Sequence, residues 1–165
     1  GRPLSLAEKV LLSHLDNPQE QEMVPGQTYL QVRPDRVLLQ DVLGQTAMLQ
    51  FMQTLRDTTA VPTSIHCDHL IQARAEGVSD LRESLVENSE VYDFLRSVSA
   101  RYGVGFWEPG AGIIHQVALE QYAFPGEVII GTDSHTPNGG GLGACAVGVG
   151  GVGRAPIGGG GGREV

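Results

Sequence analysis

Asp133, Ser134, His135 and Asn138 fall within six residues, directly after the apolar run Val128-Ile-Ile130 and beside the glycine cluster Gly139-Gly-Gly141. A carboxylate, a hydroxyl, an imidazole and an amide at the exit of a strand are not what a packed core requires, and loops at strand ends commonly carry chemistry in α/β proteins. Two further sets have the same character. Asp68-His69 ends the run Ile65-His-Cys67, and His115 follows Gly112-Ile-Ile114. An imidazole exchanges a proton near neutral pH, and a neighbouring carboxylate sets its tautomer and raises its basicity. Strand ends of one polarity converge on one edge of a parallel sheet, so these sets can meet in a single cleft. Together they suit proton transfer to or from an anionic substrate.

The competing readings are structural. His66 and His115 each sit in an apolar context and also read as hydrogen-bonded core residues, and His14 reads as surface or packing on an amphipathic helix. Asp133-Ser134-His135 also has the composition of a turn that caps the next segment. Metal binding by His69, His115 and His135 lacks any HxH or HxxxH spacing, so no metal ligands are assigned. Gly141-Leu-Gly143-Ala-Cys-Ala146 matches G-x-G-x-x-A formally, but the preceding strand ends about ten residues too early for a dinucleotide site. Cys67 and Cys145 are too few for a disulfide framework or a thiolate metal site, and read as small buried hydrophobes in a reducing compartment.

The elements that must position these groups alternate. Ser5 to His14 reads as a short helix with Ser5 as N-cap, broken at Asn17-Pro18. Gly26 to Val37 contains a strand at Tyr29-Leu-Gln-Val32 and a turn, and Asp41 to Arg56 has a helical period. Pro62 to Cys67 is a strand, Ser79 to Tyr102 one long helix, and Gly103 to Trp107 another strand. Ile113 to Tyr122 begins extended and continues as a helix, and Glu127 to Ile130 is a strand. Strands alternating with helices predict a three-layer α/β domain with a largely parallel sheet. Gly143 to Gly151 reads as a helix or a close-packed segment. Between Gly139 and Gly162 lie 13 of the 23 glycines. That concentration divides the chain into a domain over 1–151 and a tail over 152–165 expected to be without order.

Hydrophobic residues make up 41% and charged residues 18% of the 165, ordinary for one globular domain. No run approaches the ~18 apolar residues of a membrane span. The formal charge of −8 argues against nucleic acid as a partner, without forbidding a small anion. The first residues do not read as a targeting peptide. A start at Gly1 rather than Met reads as a processed or excised product, so the compartment is left open by the residues themselves.

Arg33-Pro-Asp-Arg-Val37 with Gln40-Asp41, Ile65-His-Cys-Asp-His69, Tyr102-Gly-Val-Gly-Phe-Trp107, Gly112-Ile-Ile-His-Gln116 and Gly131-Thr-Asp-Ser-His-Thr-Pro-Asn-Gly-Gly-Gly141 closely resemble the N-terminal part of the aconitase family, in its mitochondrial type. The resemblance runs in order and at the family's spacing from Ser5 to Gly151. The Gly-Thr-Asp-Ser-His-Thr core is shared with isopropylmalate isomerase and homoaconitase, whereas the Ile-His-Cys-Asp-His and Phe-Trp-x-Pro-Gly segments favour aconitase. What the resemblance implies is the first domain of the aconitase fold, truncated, and the reversible conversion of citrate to isocitrate through cis-aconitate in the citric acid cycle. It implies the mitochondrial matrix, a monomeric enzyme, and a [4Fe-4S] cluster whose one iron without a cysteine ligand acts as a Lewis acid. By matching position, Gln40 and Ser134 would hold substrate carboxylates and Asp68-His69 would protonate the departing hydroxyl. Asp133 with His115 would form a second pair, and His135 with Asn138 would complete the wall.

The resemblance also implies what is expected to be missing. In the family the cluster cysteines, the serine base and the substrate-binding arginines belong to later parts of the chain, and neither Cys67 nor Cys145 matches a cluster ligand. Val152 to Val165 does not match the family, as after alternative splicing, a frameshift or a prediction error. A sheet cut here is expected to leave an unpaired edge and apolar faces. Two expectations follow: an aconitate hydratase by family, and a non-catalytic fragment that does not bind the cluster alone. Another hydro-lyase of the same superfamily is the further alternative.

Overall fold

Val37-Leu-Leu39 and Val128-Ile-Ile130 are unbroken apolar runs, the pattern of strands covered on both faces. Both are interior strands in the computed structural model, which describes residues 2–150 and 163–164. The chain runs α1 (Leu6–Ser13), β1 (Gln31–Val32), β2 (Arg36–Gln40), α2 (Asp41–Met52), β3 (Thr63–His66), α3 (Gly77–Glu87), α4 (Ser89–Tyr102), β4 (Gly105–Trp107), α5 (Ile114–Gln121), β5 (Val128–Gly131), a 3-10 helix (Thr136–Leu142) and β6 (Cys145–Gly148). Five strands form one sheet in the order β4-β3-β2-β5-β6, with every pairing parallel.

Two-residue periodicity sends neighbouring side chains of β2 to opposite faces. Val37 and Leu39 join Ile65 under Met48 and Phe51 of α2 and Tyr92 and Leu95 of α4. Leu38 joins Ile129 under Ile114 and Ala118 of α5. This is the three-layer domain that the alternation of elements predicts. Right-handed crossovers explain which helix lies where. From β2 the chain moves outward to β3 and β4 with α2 and α4 on one face, then returns to the other side of β2 with α5 on the opposite face. The direction of winding therefore reverses between β2 and β5, and loops leaving the carboxyl ends diverge at such a switch point to leave a crevice.

Three segments differ from the sequence reading. The central strand lies at Arg36–Gln40, after Pro34 rather than before it, and only Gln31–Val32 of the earlier segment is extended. The helix over 79–102 is two helices divided at Asn88, whose φ of −111° and ψ of 20° leave the helical region. Asn88 Nδ2 donates to the Ser84 carbonyl at 3.3 Å, a local bond that competes with helix continuation. Apolar spacing persists across such a break, so periodicity does not reveal it. Of the segment read as helical or close-packed, the described residues Gly143 to Gly150 are not helical: Cys145–Gly148 adds a parallel strand beside β5. The tail over 152–165 lies outside the described residues except for β7 (Arg163–Glu164), which pairs antiparallel with β1.

Ser5 caps α1 as expected, in a reciprocal capping box with Glu8. Gly148 explains a tighter constraint. A Cβ placed there would lie 2.6 Å from the Asp133 carbonyl oxygen. Gly148→Ala is expected to destabilise the domain by about 1–3 kcal/mol in urea denaturation, since backbone must shift to admit the methyl group; unchanged stability would show that the loop after β5 is not held against β6.

His66, as expected, is a core residue. It is fully buried, with Nε2 2.9 Å from Ser64 Oγ and its ring stacked on Trp107 at a centroid distance of 5.9 Å. Burial, and then the nearby Arg36 charge, lower its pKa to about 4. An unfolded chain takes up this proton near pH 6.5, whereas the native one resists until about 4. The native state is thus favoured above pH 6.5 and loses up to about 3 kcal/mol as pH falls toward 4. His66→Phe is expected to make the acid-induced loss of stability shallower than in the unsubstituted chain. Equal loss in both would overturn the buried neutral state.

Candidate active site

The carboxyl ends of β2, β5 and β6 and the turn after β3 enclose an open cleft of about 400 Å³, lined by Gln40, Leu43, His69, Thr132, Asp133, Ser134 and the backbone from Gly148 to Gly150. This is the edge on which a fully parallel sheet places all its carboxyl ends, at the switch point between β2 and β5. Register sets the level of each group. Leu38 pairs with Gly131, so Gln40, two residues on, stands level with Asp133. The Gln40 N–H donates to Thr132 Oγ1 at 2.9 Å, which ties the two strand ends together. The Gln40 side chain caps α2, its Oε1 accepting the Leu43 N–H at 3.1 Å, and its amide nitrogen has no partner among the described residues.

His69 spans two carboxylates. Its Nδ1 is 3.0 Å from Asp68 Oδ1 and its Nε2 is 2.6 Å from Asp133 Oδ2. A hydrogen bond to Asp68 on one nitrogen and the Asp133 charge beside the other both favour the protonated ring. Partial desolvation pulls the His69 pKa down, but the Asp68 hydrogen bond and the charges of Asp68, Asp133 and Asp41 outweigh it and leave it above its ordinary value. The other ends of both carboxylates are held by backbone. Asp68 Oδ2 accepts the Ile114 N–H at 3.0 Å, fixing the start of α5, and Asp133 Oδ1 accepts the His135 N–H at 2.6 Å. Asp133 is nearly buried, which pushes its pKa up, yet the His135 N–H and the His69 charge more than offset that and lower it overall.

Of the residues singled out in the sequence, Gln40, His69, Asp133 and Ser134 line the cleft directly. Asp68 stands behind His69. His135 is exposed, with Nδ1 3.2 Å from Asp133 Oδ1 and 3.4 Å from Ser134 Oγ. His115 is half-buried, its ring 5.2 Å from that of His135, and it lines a small enclosed cavity with Asp133 and Thr136. Asp133 and His115 are close without being hydrogen-bonded: Asp133 makes an ion-pair contact with His69 and a hydrogen bond with His135, and His115 Nδ1 is buried without a partner among the described residues. The Asn138 backbone N–H donates to the His135 carbonyl in the 3-10 helix, at 3.0 Å, and its side chain is not on the cleft. Sequence reasoning passed over Thr132 and Asp41. Thr132 carried a signal, a hydroxyl beside Asp133 at a strand exit; Asp41 looked like an ordinary acid in a first helical turn.

His115, Asp133 and His135 have donor atoms within 4.8 Å of one another, as do Asp41, Asp68 and His69. The carboxylate oxygens in both groups already accept N–H donors, which marks a proton-holding array rather than a set of metal ligands. An iron–sulfur cluster takes thiolates. Cys67 lies in the core between the sheet and α2, and burial, then the charges of Asp41, Glu108 and Asp68, push its thiol up to about 12. Cys145 pairs with Val128 at the amino end of β6, away from the cleft. This chain's own residues therefore do not fit a cluster at the cleft. No helix among the described residues is long and apolar enough to cross a membrane.

Sequence comparison identifies the family. The profile of the "Aconitase family (aconitate hydratase)" matches residues 8–155. The mitochondrial aconitate hydratase of Gracilaria gracilis is 61% identical over 152 residues, 92% of this chain and 19% of that protein. Those of Emericella nidulans and Saccharomyces cerevisiae are 58% and 57% identical, each over 92% of this chain. The chain spans about a fifth of the length of these curated relatives. With the match running through every strand of the sheet and every residue of the cleft, the chain belongs to the aconitase family.

Proposed function

We propose that the cleft is one wall of an aconitate hydratase active site, which interconverts citrate and isocitrate through cis-aconitate in the citric acid cycle of the mitochondrial matrix. The observation that carries this reading is His69 held between Asp68 and Asp133 at the switch point of the sheet. Dehydration breaks a C–H bond and the adjacent C–O bond: a base supplied from outside this cleft takes the C–H proton, its electron pair forms the double bond, and the hydroxyl leaves as water only if it receives a proton. His69 with Asp68 is the acid that supplies it, and the reverse reaction returns the proton to the same ring. The Gln40 amide and the Ser134 hydroxyl hold substrate carboxylates. Asp133 keeps His69 aligned, His115 and His135 stand behind Asp133, and Asn138 supports that side from the 3-10 helix rather than from the cleft lining.

The aconitase family is associated with an iron–sulfur cluster. Its thiolate ligands do not come from this cleft, and these 165 residues alone are proposed not to hold it. The cleft lining contains no lysine or arginine among the described residues, so cationic groups for a tricarboxylate also come from elsewhere. The whole protein acts as a monomer in this reading. The names of the relatives favour aconitate hydratase over another hydro-lyase of the same superfamily.

The assignment is tested in the full-length Saccharomyces cerevisiae relative, followed by cis-aconitate absorbance. Replacing the histidine that matches His69 with alanine, or the aspartate that matches Asp133 with asparagine, is expected to lower kcat roughly 10²- to 10⁴-fold. Activity near wild type would remove both roles. The 165-residue chain, supplied with iron, sulfide and citrate, is expected to show no turnover. Turnover there would sink the reading of the cleft as one wall of a larger site.

A further inference from the structure

Asp41 opens α2 directly after Gln40, and its side chain has no exposed surface. A buried carboxylate is costly unless its oxygens are hydrogen-bonded. Here both are, by donors 28 and 29 residues away: Oδ1 accepts the His69 N–H at 3.1 Å and Oδ2 accepts the Leu70 N–H at 3.2 Å. Oδ1 also lies 4.0 Å from His69 Nδ1. An ordinary acid in a first helical turn serves its own helix. That task belongs to Gln40, whose Oε1 accepts the first N–H groups of α2, which leaves Asp41 to grip the turn after β3.

We infer that Asp41 is a positioning residue for His69: it fixes the His69–Leu70 turn against the start of α2, so that the imidazole reaches both Asp68 and Asp133, and it adds a third carboxylate to the ring's surroundings. The inference rests on the proposed role of His69 as the acid. Its consequence for the site is geometric. Gln40 and Asp41 are adjacent, so the group that holds a substrate carboxylate and the group that fixes the acid share one rigid helix start. The charged groups facing His69 are Asp68 from its own turn, Asp41 from α2 and Asp133 from the loop after β5, with His135 behind Asp133. Burial pushes the Asp41 pKa up and leaves it above its ordinary value, the Leu70 and His69 N–H groups opposing that in part. The ionised form is the one that accepts from both.

The test uses NMR on the full 165-residue chain, reading the titration of the His69 ring and hydrogen exchange at the His69 and Leu70 amides. Asp41→Asn keeps the shape but loses the charge and one acceptor; Asp41→Ala loses both acceptors. In each, the His69 midpoint is expected to fall, and the Leu70 amide to lose protection by about tenfold or more. Asp68→Asn is expected to lower the His69 midpoint while leaving Leu70 protected, which separates charge from clamping. If both Asp41 variants unfold, the unaltered chain still decides: the Asp41 carboxyl carbon and the His69 and Leu70 amides must shift at a common midpoint. An unmoved His69 midpoint in Asp41→Asn with both amides protected, or the lack of that common midpoint, overturns the inference. None of these readouts uses turnover, so failure here leaves the assignment of the acid standing, and failure of that assignment leaves the clamp measurable.

Discussion

The cleft depends on the parallel pairing of β2 with both of its neighbours. Because every strand in the sheet points the same way, the residues that follow β2, β3 and β5 emerge on one edge, and the register that pairs Leu38 with Gly131 and Gln40 with His66 sets their heights to within a residue. A slip of one residue would turn Val37 and Leu39 to the α5 face and Leu38 to the other, against both cores. The packing of apolar side chains thus enforces the position of polar groups that take no part in the core. The 2.6 Å contact between His69 and Asp133 is the point at which that enforcement becomes chemistry.

Polar groups beneath the cleft are buried at a cost that the fold offsets bond by bond. Asp41, Asp68 and Asp133 each accept backbone N–H groups from a segment distant from, or next to, their own, and each bond fixes a turn that carries another member of the array. Asp68 holds the start of α5, and hence His115; Asp133 holds the His135 turn; Asp41 holds the His69 turn. The same carboxylates that orient the imidazole therefore also organise the loops. Such a network is stiff, because loosening any one acceptor leaves a buried donor without a partner.

The fold class, the order of elements and the three clusters of chemical residues were legible in the sequence, because unbroken apolar runs, a helical period and polar strand exits are local patterns. What was not legible depended on partners far along the chain. Asn88 divides a helix whose apolar spacing never falters. Cys145 to Gly148 became a strand because β5 offered an edge, and its glycines and small side chains do not predict strand. The ion-pair partner of Asp133 is His69, 64 positions away, rather than His115. Asp41 was hidden most completely, since an acid at a helix start has a sufficient local explanation, and only its burial shows that its donors lie beyond the helix.

Three carboxylates around one imidazole make this wall acidic in two senses. They hold a proton on His69, and they repel the carboxylates of any substrate that approaches. No lysine or arginine lines the cleft among the described residues to counter that repulsion. Neutral donors, the Gln40 amide and the Ser134 hydroxyl, orient an anion but do not attract it strongly through water. In the proposed reaction, a surface built in this way would give up a proton to a leaving hydroxyl more readily than it would capture an anion. Under that proposal the division of labour follows from the electrostatics: these residues would supply the acid and its alignment, and attraction for an anionic substrate would need cationic groups that this lining does not contain among the described residues.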